Sequence, residues 1–248
     1  MNERIITFSA HHTVLSDKSI YPEPAILHIP DWYKSIPNPD IHTERTLKAC
    51  KPFLDSLTAG YILKNPIDQK INFNMADSDG KLNAWVEYST PLQLLRDKKS
   101  NININMGDSS EIHGIHQVGG MKCPYVKENK GHSIYKLLNP WVIHVPKGYS
   151  ILYTQPINRA EKRFEILTGI VDSGNILPVN FPCIIKKEGS WLLEKGTPIA
   201  SVFPFKKESW KMQIKEDSEK KQESILFKYA SHLMKWYENT VWNKQKWK

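Results

Sequence analysis

Short β-rich runs of apolar residues, separated by turn residues, recur through the middle of the chain. The clearest are PWVIHVPKGYSILYTQP, FEILTGIVD, LPVNFPCIIKK and TPIASVFPF. Turn signals separate them about every ten residues, a spacing typical of all-β sandwiches and barrels. Residues 46–212 are therefore predicted to form one mainly-β domain.

Two other segments interrupt or precede this pattern. Residues 1–45 contain five prolines, which fix φ and disfavour helix at the residue before each one. We predict an extended N-terminal arm whose apolar side chains pack on the body or on a neighbouring subunit. Residues 101–135 are rich in Asn, Gly and Ser and lack periodicity, so a long loop insertion is predicted there.

The end of the chain changes to the three- and four-residue spacing of an α-helix, within residues 213–248. Asp217 and Ser218 are suitable capping residues at its start. The apolar repeat consists of Ile225, Leu226, Tyr229, Leu233, Trp236, Tyr237 and Val241. Such a stripe is typically the buried face of a terminal helix, packed against its own chain or against another subunit.

Composition narrows the class of protein. A chain of 248 residues is long enough to bury a core. It lacks the run of about 18 apolar residues that a membrane-spanning helix needs, and it begins without the pattern of a secretion signal. Cys50, Cys123 and Cys183 are widely spaced without a CxxC pair, which favours free thiols in a reducing compartment. We therefore expect an intracellular protein without membrane contact.

Charge is unevenly distributed along the chain. The net charge is +8, and residues 206–248 hold 11 lysines against 6 acidic residues. A basic segment attracts nucleic acid or an acidic protein surface. Its tryptophans are suited to stacking on bases, but such residues also anchor protein interfaces, and this second interpretation is favoured. The candidate interface residues are Trp32, Tyr33, Trp236, Tyr237 and Trp242.

Candidates for metal or thiol chemistry are weak. His113 and His116, with Cys123 and His132 nearby, are of the types that bind zinc. Their Gly-rich surroundings provide no helix to set a ligand geometry, so histidines bonded to water or backbone are favoured. Cys183 follows a proline in an apolar strand and is expected to be a buried, unreactive thiol. No metal or other cofactor is predicted from these residues.

Four blocks resemble, in order, the motifs of the dUTP pyrophosphatase and dCTP deaminase superfamily. They are TAGYILKNPID (58–68), PKGYSILYTQPIN (146–158), GIVDSGNILPVNF (169–181) and LLEKGTPIASVFPF (192–205). The resemblance implies a β-clip jelly roll and magnesium-dependent cleavage of nucleoside triphosphates. It also implies that Asp172 stands where the family has its water-activating carboxylate.

Most phosphate ligands of that superfamily are replaced in this chain. Ile62 occupies the position of an acid that steadies the magnesium shell. Gln155 begins the Gln-Pro-Ile that replaces a phosphate-binding Arg-Ser pair, and Gly174 and Asn175 replace an aromatic residue under the sugar. One acid does not hold a triphosphate, which carries about four negative charges. Asp172 is therefore interpreted as a turn residue inherited from the fold.

An active site completed by a neighbouring subunit is the alternative interpretation. Asp172 would then activate water, and magnesium would hold the triphosphate. The candidate ligand-binding residues are Tyr61, Lys147, Gln155, Asn158, Arg159 and Asn175.

The chain is also similar to an uncharacterised family of tailed phages and some bacteria. The blocks that carry this resemblance are IPDWYKSIP, CKPFLDSLTAGY, NPWVIHVPKGYS, FEILTGIVD, PVNFP and GTPIASVFPFKKESWK. It implies a phage-like origin and brings no activity with it.

Taken together, these features predict a β-clip-like jelly roll with an N-terminal arm and a C-terminal helix. Folds of this kind often assemble as trimers around a threefold axis. The expected function is that of a non-enzymatic viral or phage structural or accessory protein, located in the host cytoplasm or the virion, with virion or host proteins as partners. A nucleotide hydrolase using Asp172 and a nucleic-acid-binding accessory protein are the alternatives.

Overall fold

The computed structural model describes residues 4–39, 46–76, 78–88, 93–97, 102–105, 112–172, 178–230 and 233–248. The chain divides into two compact units. The first, here called the β unit, comprises Met1–Glu23 and Gly60–Lys206, and the second, the helical unit, comprises Pro24–Ala59 and Lys207–Lys248.

Strands dominate the secondary structure. They are β1 (Thr7–Ser9), β2 (Glu23–Pro24), β3 (Tyr61–Lys64), β4 (Gln69–Ala76), β5 (Leu82–Tyr88), β6 (Gln93–Asp97), β7 (Ile102–Asn105), β8 (Ile112–His113), β9 (Ile134–Leu137), β10 (Val142–His144), β11 (Tyr149–Thr154), β12 (Phe164–Ile166), β13 (Gly169–Asp172), β14 (Phe181–Ile185), β15 (Gly189–Leu193) and β16 (Pro198–Lys206).

The helices are short except near the C-terminus. The α-helices are α1 (His12–Leu15), α2 (Asp31–Lys34), α3 (Lys51–Thr58), α4 (Pro124–Glu128), α5 (Glu219–Ala230) and α6 (Leu233–Thr240). Single 3-10 turns lie at Lys18–Ile20, Ala25–His28, Leu47–Ala49, Ile115–Val118 and Gly120–Lys122. Among the described residues, no helix is long and apolar enough to cross a lipid bilayer.

The strands form several open antiparallel sheets. The largest has the order β13-β11-β16-β3-β2, the next β12-β14-β9-β8, and the third β15-β4-β5, with the two-stranded pairs β1-β10 and β6-β7 beside them. In the described part of the chain, no sheet closes into a barrel. The predicted mainly-β fold class is confirmed.

Buried side chains of the strands supply the core of the β unit. In β14, for example, Phe181, Cys183, Ile184 and Ile185 are buried, and Pro182 is half-buried. Trp141, Phe73 and Phe164 are among the largest fully buried side chains. Burying one such aromatic side chain stabilises a fold by about 1.5–3 kcal/mol, so the core depends on long-range strand pairing.

A buried polar network links the elements of the β unit. The Asn65 amide donates to the carbonyl oxygens of Ile67 at 2.5 Å and Leu193 at 3.0 Å, while its own oxygen accepts from Gln69 Nε2 at 2.5 Å. Gln69 Oε1 in turn accepts from the Tyr135 hydroxyl at 3.4 Å. Buried polar groups are costly unless bonded, so this network fixes how β4 lies against β9 and the end of β15.

Aromatic and polar contacts organise the helical unit. Tyr33 of α2 is 4% exposed and stacks on Phe53 of α3, with ring centroids 5.7 Å apart. The Trp242 indole N–H donates to Asp55 of α3 at 2.8 Å, and the ammonium group of Lys51 lies 5.2 Å from the Trp242 ring centroid. These contacts join residues before β3 to the end of the chain, which no sequence pattern indicated.

The helices and strands within the three predicted segments differ from those expected from the sequence. The predicted arm, residues 1–45, contains β1, α1, β2 and α2 and is shared between the two units. Residues 101–135, predicted as a loop insertion, include β7, β8 and α4 among their described residues. Residues 213–248 contain α5 and α6, but residues 207–218 have neither helix nor strand.

The predicted apolar stripe of the C-terminal helix is largely uncovered within the chain. Ile225, Leu226 and Val241 are 49%, 68% and 51% exposed. Tyr229 and Leu233 of the same stripe lie outside the described side chains. Burial against the chain itself is therefore wrong for these three positions, whereas Trp236 and Tyr237 of the same stripe are half-buried. Burial against another subunit stays a prediction.

A matched pair of glycine substitutions tests the packing of β3 against β16. Gly60 has φ +74°, and a Cβ there would lie 2.4 Å from the Val202 carbonyl oxygen. We expect Gly60→Ala to lower the free energy of unfolding by about 2–5 kcal/mol, combining left-handed strain with overpacking. Gly148, at φ +85°, has open space where a Cβ would lie, so Gly148→Ala should cost only about 1–2 kcal/mol from strain. Urea unfolding measures both, and equal losses would contradict this packing.

Candidate functional site

Asp172 occupies the last position of the edge strand β13. It lies opposite Ser150 of β11, whose hydroxyl donates to Asp172 Oδ1 at 2.6 Å. Ser150 is fully buried, whereas Asp172 is exposed. The Ser150 hydroxyl therefore contacts the carboxylate at the end of an edge strand.

Lys147 lies at the same end of the sheet as Asp172. It precedes β11 in an exposed turn closed by a hydrogen bond from the Tyr149 amide to the Pro146 carbonyl, 3.1 Å long. Because β11 begins at Tyr149 and pairs Ser150 with Asp172, this turn and the acid share one end of the sheet. The structure thus brings one cation and one carboxylate to the same end of the sheet.

The predicted phosphate-loop residues lie at the other end of β11. Gln155 follows this strand, five residues beyond Ser150, which places it about 16 Å away at the usual rise per residue. Its Oε1 accepts from the Ile166 amide at 2.7 Å. Arg159 donates from Nη1 to the Ile157 carbonyl at 3.1 Å, and burial lowers its pKa. The Gln155 oxygen therefore bonds to β12, and the Arg159 guanidinium bonds to its own loop.

The remaining candidates are also separate from Asp172. Asn158 is exposed in the loop that follows β11 and has a left-handed backbone, with φ 55°. Tyr61 begins β3, two strands beyond β11 in the sheet order, and its ring meets Phe8 edge-on at 5.4 Å. Burial raises the pKa of the Tyr61 hydroxyl. Asn175 lies outside the described residues.

The described candidate side chains of one chain therefore do not meet around a single ligand. A triphosphate needs several cationic or amide donors around it, usually with magnesium. Asp172 and Lys147 lie at one end of the sheet, while Gln155 and Arg159 follow the other end of β11. Together, Asp172 and Lys147 supply one base and one point charge.

The predicted interface residues differ in exposure. In the helical unit, Trp32 is 42% exposed and meets Phe53 edge-on, whereas Tyr33 is almost fully buried beside it. Trp236 and Tyr237 on α6 are half-buried, and the ammonium group of Lys228 lies 4.6 Å from the Trp236 ring centroid.

The histidine and cysteine candidates do not gather into a metal site. In the part of the chain that the structure describes, no three His, Cys, Asp or Glu side chains group closely enough to hold a metal ion. The pKa of His113 is lowered by burial and by the positive charge of Lys136, which also opposes a bound cation. Complete burial raises the pKa of the Cys183 thiol well above its usual range, so this cysteine is unreactive in the described structure.

The sequence did not reveal a cavity in the β unit. The β4–β5 cavity has a volume of about 390 Å³ and lies among β4, β5, β9, the end of β14 and the turn after α4. Its wall includes Asn72, Trp85, His132, Ser133 and Tyr135. The one local signal was the run NFNM in β4, where two asparagines flank a core phenylalanine.

A carboxylate beside the cavity fixes two of its side chains. Glu87 Oε1 accepts from Asn72 Nδ2 at 2.9 Å and from the Trp85 indole N–H at 3.1 Å. Lys70 lies 3.2 Å from Glu87 Oε2. The Lys70 bond, followed by that of Trp85, lowers the pKa of Glu87. The acid is therefore ionised and paired, and it orients its neighbours.

A second group of contacts shapes the opposite wall. The Tyr135 hydroxyl lies 2.9 Å from that of Tyr88, which links β9 to the end of β5. The Asn129 amide donates to the Ser133 carbonyl at 2.8 Å, and its oxygen accepts from the Ile185 amide at 3.1 Å. The wall is thus preformed by bonds that require no ligand.

Searches of protein-family models, of curated proteins and of solved structures found no match to the chain. The resemblances to the dUTP pyrophosphatase superfamily and to the phage family therefore stay predictions.

The pH dependence of stability tests the environment of His132. Its ring lies edge-on to Phe73, with centroids 5.1 Å apart, and burial lowers its pKa. An unfolded histidine binds a proton below about pH 6.5, while the folded one resists it. The free energy of unfolding should therefore fall as pH decreases from about 7 to about 5. Urea unfolding across this range measures the effect.

Substitution isolates this contribution. His132→Asn should make the decrease smaller without abolishing it, because the shift of His113 has the same sign. The exposed His12 provides a matched control, and His12→Asn should leave the decrease as it is in the original chain. An unchanged pH dependence in His132→Asn would contradict this environment.

Proposed function

We propose that the chain is a non-enzymatic structural or accessory protein of a phage or virus. It would act through protein–protein surfaces on a β-clip-like jelly roll that has lost the phosphate ligands of its enzymatic relatives. Antiparallel sheets and a buried β core are compatible with that fold. Its setting would be the host cytoplasm or the virion.

One observation carries this proposal. Trp210, Met212 and Ile214 are 88%, 83% and 87% exposed, in a segment with neither helix nor strand. They alternate with Lys211 and Gln213, which is the period-two pattern of a half-buried strand. Residues 209–215, here called the strand-like segment, therefore have the sequence of a strand without a sheet.

A strand of this kind forms its main-chain hydrogen bonds by adding to the edge of another sheet. Main-chain hydrogen bonds then provide affinity, and the alternate apolar side chains fill the acceptor surface. The segment directly follows β16. The open sheets of every copy have outer strands, such as β13 and β12, to which this segment can add. A second copy is therefore the partner we propose. Head-to-tail exchange closes into a ring when the rotation between copies allows it, and closure with three copies would give the trimer that the β-clip resemblance favours.

Three consecutive apolar residues of α5 in the same unit are also uncovered, pointing in directions about 100° apart around the helix. Ile225, Leu226 and Phe227 are 49%, 68% and 74% exposed. Adjacent apolar residues of this size favour a protein contact over water. Together with the strand-like segment, they supply apolar side chains for a protein interface, and the lysines near them in sequence are suited to contact acidic residues of a partner.

The enzymatic alternative rests on the position of Lys147 and Asp172 at one end of the sheet. It requires a neighbouring copy to bring Gln155 or Arg159 to this end, together with magnesium. Gln155 Oε1 already bonds to β12 and the Arg159 guanidinium to its own loop, which favours the non-enzymatic proposal.

Self-association is the direct test of the proposed surface. The purified chain should show a mass near three times 28.7 kDa by light scattering. Replacing Trp210, Met212 and Ile214 together with serine should weaken association at least about a hundredfold, because each apolar side chain contributes ~1.5–3 kcal/mol when buried and ~1.4 kcal/mol is tenfold.

The same segment offers a matched control for association. Lys211→Ser with Gln213→Ser changes the alternate side chains and should leave the mass unchanged. A monomer at all concentrations, or a triple variant that associates as the original chain does, would overturn the proposal.

A nucleotide assay separates the enzymatic alternative. With magnesium and each common nucleoside triphosphate, the chain should release neither pyrophosphate nor phosphate and should show no thermal shift. Release that is lost in Asp172→Ala and retained in Asp68→Ala, which removes an acid elsewhere on the β unit, would establish the hydrolase and refute the proposal made here.

A further inference from the structure

We infer that the β4–β5 cavity binds an uncharged ring carrying several hydroxyl groups, that is, a neutral sugar. Its volume of about 390 Å³ lies within the range of small-molecule sites. The cavity lies wholly within the β unit, so this inference is independent of assembly through the strand-like segment.

Charge excludes the more common anionic ligands. The residues that line the cavity include no Asp, Glu, Lys or Arg among those the structure describes. Burial lowers the pKa of His132, which keeps this ring neutral near pH 7. Glu87 lies beside the wall and is paired with Lys70. A phosphate or carboxylate would therefore find no charged partner, and charge-assisted bonds are what such groups need.

The polar part of the wall has the bonding capacity of a sugar site. Asn72, Asn83, His132 and Ser133 each both donate and accept hydrogen bonds, as every sugar hydroxyl does. A carboxylate only accepts, so Glu87 fixes the Asn72 amide with its nitrogen toward the acid. The Asn72 oxygen is then an oriented acceptor, although the residue is only 3% exposed.

The apolar part of the wall suits the C–H face of a sugar ring. Trp85 is 43% exposed, and its indole N–H is held by Glu87 at 3.1 Å. The ring is therefore held in place and partly uncovered before any ligand arrives. A tryptophan that is apolar on its face and bonded at its edge combines packing with a fixed orientation.

The backbone of β4 is irregular where it forms this wall. The pairing with β5 shifts register between Asn72 and Met75, and Asn74 has a φ of 57°. Such bulges redirect side chains and are frequent beside binding sites, and asparagine is among the residues that tolerate this conformation. The bulge lies next to Asn72 and Phe73, which both line the cavity.

Titration of the full chain with defined probes tests the inference. The probes are D-glucose, D-galactose, D-mannose and N-acetyl-D-glucosamine, with glucuronate and glucose 6-phosphate as charged counterparts and uridine and adenosine as nucleosides. Saturation-transfer NMR followed by calorimetry should show at least one neutral sugar binding with a millimolar or lower Kd. Each charged counterpart should bind at least about tenfold more weakly, a difference of ~1.4 kcal/mol.

Two variants locate the binding. Trp85→Ala should weaken sugar binding at least about tenfold. Ser133→Ala, which removes only a hydroxyl, should also weaken it. Trp32 has nearly the same exposure, 42% against 43%, and lies in the helical unit. Trp32→Ala is therefore the matched control and should bind as the original chain does.

Several outcomes would overturn the inference. They are no neutral sugar binding at tens of millimolar, a nucleoside or charged sugar binding more tightly than every neutral sugar, or binding that neither Trp85→Ala nor Ser133→Ala weakens.

Discussion

The buried chain of hydrogen bonds from Asn65 through Gln69 to Tyr135 is the constraint on which the β unit depends. Asn65 and Gln69 are inaccessible to water, so each lost partner would leave an amide unsatisfied in the core. Because Gln69 begins β4 and Tyr135 lies in β9, the network fixes the separation of two sheets. The β4–β5 cavity lies between them, and its shape follows from bonds that exist without a ligand.

The length of one strand decides how the predicted catalytic residues are arranged. β11 carries Ser150, the partner of Asp172, at one end and leads to Gln155 at the other. No side-chain movement spans that separation, so chemistry on a triphosphate would need a second copy. The exposed apolar side chains of the strand-like segment provide a physical reason for copies to meet. The described residues therefore offer exposed apolar side chains for contacts, and the candidate catalytic side chains do not meet within one chain.

The sequence predicts what depends on local pattern. The β-rich runs and the turn signals between them predict β11, β14 and β16. The run GIVDSGN predicts that Asp172 lies where a strand ends. The burial of Tyr33, the bond from Trp242 to Asp55 and the cavity were not predictable, since they depend on residues far apart in the chain. Tyr135 and Gln69 are separated by 66 positions. The exposed period-two run at 209–215 was readable from sequence, but only the structure shows that no sheet of the chain takes it up among the described residues.

Hydrogen exchange of the backbone amides in residues 209–215 tests the central claim most directly. A strand added to a neighbouring sheet has bonded amides, whereas an exposed segment without secondary structure exchanges within seconds. The account predicts protection in the concentrated protein, with every second amide slowed, and loss of this protection on dilution to monomer. Rapid exchange of the whole segment at every concentration, in a sample shown to be assembled, would contradict it.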